Sequence, residues 1–480
     1  MKISWQRVFG WPMRSQANYG GLFYSLPGFA TRLVCLAVCI LICGVPWCEC
    51  KAESVHYTDV PFDSYKTDPA TLTNWAQTFN DKAIAQHGWS IWAQITADSG
   101  QLYNGRSLPK WDTWFTEADV FDRNATPADV PNDPVQLHPF HLPHQGGTQL
   151  ASFNKYNMAF KKYILENGFN KVETLLKINN GFSPDTPIEK RELEPHAPLD
   201  GIVLKPTYWA VHAGEATPVP YWKGPGLTIA GTVQPRKPTD ATWTQVVLVN
   251  DTGQSVRPKS MKYVVYAEDG PKEIDVTASK VVTIDDFYTI KLTTNDIAFI
   301  RGPGNIFQIG GIQVKDLRVG DYLLLVGIHV ATVEWSEWTW QTFWWSPFPE
   351  DPYGARDPKI KTPFTNYNMA SAYYMIGKDK KPHVTFNPHL ETPIVGPIYM
   401  DSGISGKDHG SESNCMSCHH VAAFPTVNGD PSLANALLGS YKANGDVTGN
   451  EQFFRNRVNT HNMWGMVLGL QGQKEYAGKR

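Results

Sequence analysis

The sequence predicts a mixed α+β fold: an antiparallel β-rich body, sandwich or barrel, with a helical N-terminal part and a small C-terminal helical module. Three observations point there. Runs rich in β-branched and aromatic residues recur between Ile202 and Trp345, separated by turn signals such as Asn250-Asp251-Thr252-Gly253 and Glu268-Asp269-Gly270. Upstream, Asp68-Pro69 reads as a helix start with proline at the first helical position. The 39 Gly and 35 Pro imply many turns. No repeat of about 20–50 residues is visible, which weighs against a propeller.

The first segment reads as an address. No acidic residue precedes Glu49, and Lys2, Arg7, Arg14 and Arg32 give a basic start. The apolar run from Leu33 to Val45 has the length of a signal-peptide core and is short for a membrane span of about 20 residues. Cys50 and Ala52 suit cleavage after Ala52, so residues 1–52 are expected to be a signal peptide and the protein periplasmic. Met13 is a second candidate start, and an uncleaved anchor is the rival reading. No Arg-Arg pair points to the twin-arginine route. Residues 1–52 hold five basic residues and one acid, so their removal takes the net charge from −3 to −7. An acidic protein of this kind points away from nucleic acid and toward a partner with a basic or neutral patch.

Residues 53–362 are expected to form the β-rich body. Ala70 to Thr96 reads as mostly helical, with Trp75, Phe79, Ile84, Trp89 and Trp92 inward, and a second helix is expected over 154–167. Expected strands are Ile202–Leu204, Tyr208–His212, Trp243–Asn250, Lys262–Ala267, Val281–Leu292 and Tyr322–Phe343. The Trp-rich stretch Trp335 to Trp345, read as strand, would put Trp338, Trp340 and Trp344 on one face and Trp335, Phe343 and Trp345 on the other. Such a row fills a core, walls a cofactor or binds sugars. His138, His141 and His144 have the residue type for Zn or Cu, but Pro139 and Pro143 forbid a regular helix, so a surface loop without a second metal is expected. Residues 363–480 are the C-terminal module, with helices expected over Tyr367–Tyr374 and Pro431–Tyr441.

Cysteine usage carries the chemistry. Five of the seven cysteines lie at or before Cys50, which leaves Cys415 and Cys418 in Cys415-Met416-Ser417-Cys418-His419. C-x-x-C-H is the signature of covalent haem attachment. On a helical turn, residues three apart share a face, so both thiols can reach one edge of a porphyrin, and the histidine is carried under the iron. A zinc site would need further ligands, such as His409, His419 and His420. A redox dithiol would need a preceding strand, where Ser402 to Asn414 reads as loop. A disulfide across two intervening residues is strained. With no third cysteine after the export segment, type 1 copper and Cys-ligated iron–sulfur sites are excluded. No G-x-G-x-x-G, H-E-x-x-H or second C-x-x-C-H occurs.

Cys415 to His419 resembles the haem-binding motif of the cytochrome c family. The body, with its Trp-rich stretch and Asn387-Pro388-His389-Leu390-Glu391, resembles that of large bacterial haem-c proteins. The resemblance implies one covalent haem c on Cys415 and Cys418, His419 as proximal iron ligand, and attachment outside the cytoplasm. It departs from small cytochromes c, whose motif lies near the domain's start. By analogy with their chain order, Met463 is the first candidate for the distal ligand, with Met466 beside it, and His329 is the second. The expected function is electron transfer to a redox partner protein, a cytochrome or other carrier, with membrane association only if the export segment stays uncleaved. A haem-containing oxidoreductase with a substrate site in the body, and a haem-based sensor with an open distal position, are the alternatives.

Overall fold

The computed structural model describes residues 55–128, 151–183, 185–222, 245–257, 260–267, 270–301, 308–310, 312–380, 383, 385, 387–391, 414–425 and 451–470. The export segment, the His138/His141/His144 loop and the expected helix Pro431–Tyr441 lie outside them.

Asp68 caps a helix at Pro69–Thr78 by accepting from the Thr71 N–H. The single helix expected over 70–96 is broken there. Phe79 turns left-handed at φ 55° and Asn80 caps a new helix, Asp81–Ile95, by accepting from the Ala83 N–H. This second helix buries Ile84, Ala85, Gly88, Trp89, Ile91, Trp92 and Ile95. Gly88 is required by contact: a Cβ there would come within 2.7 Å of the Met369 sulfur. Trp92 stacks on Phe343 at 4.1 Å between ring centroids.

The sheet under that helix has eight strands, and its main path runs Tyr367–Ala372, Thr339–Trp345, Tyr322–Thr332, Ile202–Val211, Lys155–Tyr156, Phe115–Thr116. Its neighbours are antiparallel. The body is thus mixed α+β with antiparallel sheets, and among the described residues no sheet closes into a barrel. A three-stranded sheet of Ala216–Pro220, Val246–Asn250 and Val281–Val282 and a hairpin of Ser260–Ala267 with Gly270–Thr277 stand beside it.

Four expected elements differ. The stretches 202–204 and 208–212 join into one strand through Pro206, and the partner register shifts between Leu325 and Gly327, next to the proline that cannot donate to the ladder. The long strand over 322–343 is two strands, because the chain turns at 333–338 with Trp338 at φ 56°. Trp338 therefore stacks on Trp340 at 5.5 Å from the turn instead of alternating with it along a strand. The stretch 281–292 is interrupted by a 3-10 turn, Ile284–Asp286, held by a Thr283/Asp286 capping box. Tyr367–Tyr374, expected as helix, is the strand Tyr367–Ala372. Burial on both faces hides the two-residue period in such a run.

Opposed residues of an antiparallel pair share a face. One face carries Ile202, Leu204, Ile328, Val330, Phe343 and Met369, all in the large core beneath helix Asp81–Ile95. The other carries Val203, Lys205, His329, Ala331, Trp340, Thr342 and Ala372. A second core forms on that side from Trp340, Ala331 and Ala372 together with Met416, Phe424, Val458, Met463, Met466, Val467 and Leu470. The C-terminal segment is thereby packed onto the body. Among the described residues no helix is long and apolar enough to cross a membrane.

Candidate functional site

Cys415–His419 is a five-residue helix, too short to hold itself. Asn414 fixes its start. Its side-chain oxygen accepts from the Met416 N–H at 2.9 Å, while its Nδ2 donates to the carbonyls of Tyr374 at 3.1 Å and His383 at 2.8 Å. Ser417 Oγ donates to the Asn414 carbonyl at 2.9 Å, and Cys415 Sγ lies 3.8 Å from the Thr385 carbonyl. Cys418 completes the same turn of backbone.

His419 closes the helix. Its Nδ1 lies 2.7 Å from the carbonyl of Asn462. A carbonyl only accepts, so Nδ1 carries the proton and Nε2 presents its lone pair. The ring packs against Trp340 at 4.2 Å, tilted by 42°. Burial pushes the His419 pKa down to about 3; the Asn462 bond works against this, while the electrostatic influence of His329, Lys205 and His420 adds to it. His419 is therefore a neutral imidazole with a fixed tautomer, the state in which histidine binds a metal.

The sheet face beneath His419 is unusual in its centre. Ile202, Leu204, Ile328 and Val330 are buried, whereas Val203, Lys205 and His329 are half-buried, and the last two are opposed in register. Farther along, Glu117 accepts a hydrogen bond from Asn154 Nδ2. Burial raises the Glu117 pKa to about 7, against the pull of Asn154 and Lys205. On the other side of the helix, His420 pairs with Glu337 at 3.3 Å. His389 is buried, its pKa pushed down by burial to about 3, and its neighbour Asn387 donates to Thr342 Oγ1 at 2.9 Å.

His329 lies on the sheet face that also carries Trp340, against which the His419 ring packs. Met463 is buried in the second core at 4 % exposure, directly after Asn462. The Asn462 carbonyl sits at His419 Nδ1, one residue before Met463 in the chain. Trp340 belongs to the Trp-rich stretch that the sequence offers as a cofactor wall, whereas Asn462, Lys205 and Glu117 are not singled out by the sequence. The one local signal was the turn-forming stretch around Asn462, whose φ of 67° suits asparagine better than most side chains.

The chain matches no family model, no curated protein and no solved structure. Function is therefore argued from the site itself.

Proposed function

We propose that this chain is an exported, periplasmic monohaem c-type cytochrome that transfers electrons to a protein partner. The observation that carries the reading is His419, placed at the end of the C-x-x-C-H turn as a neutral ring with Nδ1 held by the Asn462 carbonyl. A backbone carbonyl on the ring's other nitrogen is what orients a metal-binding histidine, and the donor set suits haem c. Cys415 and Cys418 would hold the haem covalently and His419 Nε2 would bind its iron. The haem would supply a one-electron couple; the chain fixes the proximal ring, packs Trp340 against it and sets the charge of Lys205 on the sheet face nearby. The acidity of the chain after loss of residues 1–52 supports a partner with a basic or neutral patch.

For the distal position we favour His329 over Met463. Met463 is packed into the second core, whereas His329 lies on the sheet face that carries Trp340, the residue against which the His419 ring packs. Acid–acetone extraction followed by haem staining of a denaturing gel tests attachment: haem stays with the wild-type chain and is weakened in Cys418→Ser, and extraction from wild type refutes the proposal. The oxidoreductase reading draws on Lys205 and His329, opposed on the half-buried sheet face, with Glu117 acting on Lys205 from farther along. A high-spin spectrum that shifts with cyanide would favour that reading, or the sensor, over a carrier.

A further inference from the structure

We infer that Glu192, His196 and His461 form a binding site for a divalent transition metal, with zinc as the type ion. Their candidate ligand atoms lie within 4.8 Å of one another. His196 Nε2 is 3.5 Å from Glu192 Oε1, His461 Nδ1 is 4.0 Å from Glu192 Oε2, and the two imidazole centroids are 4.3 Å apart. Glu194 Oε1, 3.2 Å from His196 Nε2, puts a fourth donor within reach.

The tautomer of His461 strengthens the case. Its Nε2 lies 2.6 Å from the Leu193 carbonyl, which requires the proton on Nε2. In the neutral ring the Nδ1 lone pair then faces Glu192, so two acceptors look at each other across a gap that a cation would fill. A backbone carbonyl on the second nitrogen is also what orients a metal-binding histidine.

The ligands sit on two segments that are already tied. The Leu193 N–H donates to the Asn459 carbonyl at 3.1 Å, the Asn459 N–H donates to the Arg191 carbonyl at 2.7 Å, and the His461 N–H donates to Asn459 Oδ1 at 2.8 Å. Tyr163 Oη holds the Pro195 carbonyl at 2.8 Å. His461 is also at φ 49°, a left-handed conformation that non-glycine residues keep only where the surroundings impose it. Two imidazoles with carboxylate suit zinc, copper or nickel and not magnesium or calcium, which prefer all-oxygen shells. Three protein ligands leave a position for Glu194 or water.

Zinc titration of the metal-stripped full chain against a chromophoric chelator tests the site, and it reads out whether or not the haem proposal holds. One zinc per chain is expected. His196→Ala is the decisive variant because His196 is 59 % exposed, so the fold is expected to tolerate its loss. It should weaken binding by more than the roughly 10- to 100-fold that loss of an outer partner costs, and Glu192→Gln should weaken it as well. The triple variant His138→Ala, His141→Ala, His144→Ala should bind like wild type. Absence of stoichiometric zinc, unchanged affinity in His196→Ala, or loss of binding in the triple variant would each overturn the inference.

Discussion

The two faces of the central sheet are built by the same strands and do opposite things. Under helix Asp81–Ile95 the alternate residues are apolar and aromatic, and Trp92 lies flat on Phe343. On the other face the same strands present Lys205, His329 and Trp340, and the covering element is a five-residue helix pinned from several directions. A dry face gains stability from area alone. A face that must position a titratable ring keeps polar groups at its centre and relies on hydrogen bonds from distant segments. The comparison implies that stability and site chemistry can be perturbed separately.

The largest stability effect should come from the dry face. Trp92→Ala removes a fully buried ring and should cost about 3–5 kcal/mol in denaturant unfolding, and if the proposed haem is bound its spectrum should be unchanged wherever the protein remains folded. Met463→Ala should cost about 2–5 kcal/mol by leaving a cavity in the second core, again without a change of spin state. A ligand-loss spectrum in that variant would restore Met463 as distal ligand.

Glu117 gives a pH test. Its carboxyl is protonated up to about pH 7 in the folded chain and only to about its ordinary value of 4.5 when unfolded. The folded state thus binds more protons between these values, and stability should fall as pH rises through that window, by on the order of 3 kcal/mol in total. Glu117→Gln should flatten the slope in unfolding titrations at pH 4.5 to 7.5; an unchanged slope would place the effect elsewhere.

The smallest stability effect should be that of His329→Ala, about 1 kcal/mol or less for a half-buried side chain. It should nonetheless convert a low-spin ferric spectrum to a high-spin one, while His389→Ala leaves the spin state alone. Reversal of those two outcomes would move the distal assignment to His389.

Legibility in the sequence followed the range of the interactions. The Cys415–His419 turn is contiguous in the chain, so its C-x-x-C-H pattern could be read directly from the sequence. Strands such as Val246–Asn250 and Ser260–Ala267 announced themselves by local composition. The partners of His419 did not. Trp340 meets it through strand register, Lys205 and His329 through pairing between strands over a hundred positions apart, and Asn462 through a loop. Tyr367–Ala372 was misread because pairing with Thr339–Trp345, not local propensity, makes it a strand. Phe79 and Asn80 broke the first helix through a left-handed residue and a cap that an apolar repeat does not reveal.

His461 and Asn462 are consecutive left-handed residues, and each is tied to a different histidine ring environment: His461 bonds through its own ring to Leu193, and Asn462 through its carbonyl to His419. Two adjacent peptide units thus make a lever with a load at each end. If the proposed haem and the inferred zinc both bind, fastening one end would change the free energy of occupying the other, and reciprocity would make the effect equal in both directions. A shift in the reduction midpoint on adding zinc, matched by an equal redox dependence of zinc affinity, is the thermodynamic signature such a lever would leave.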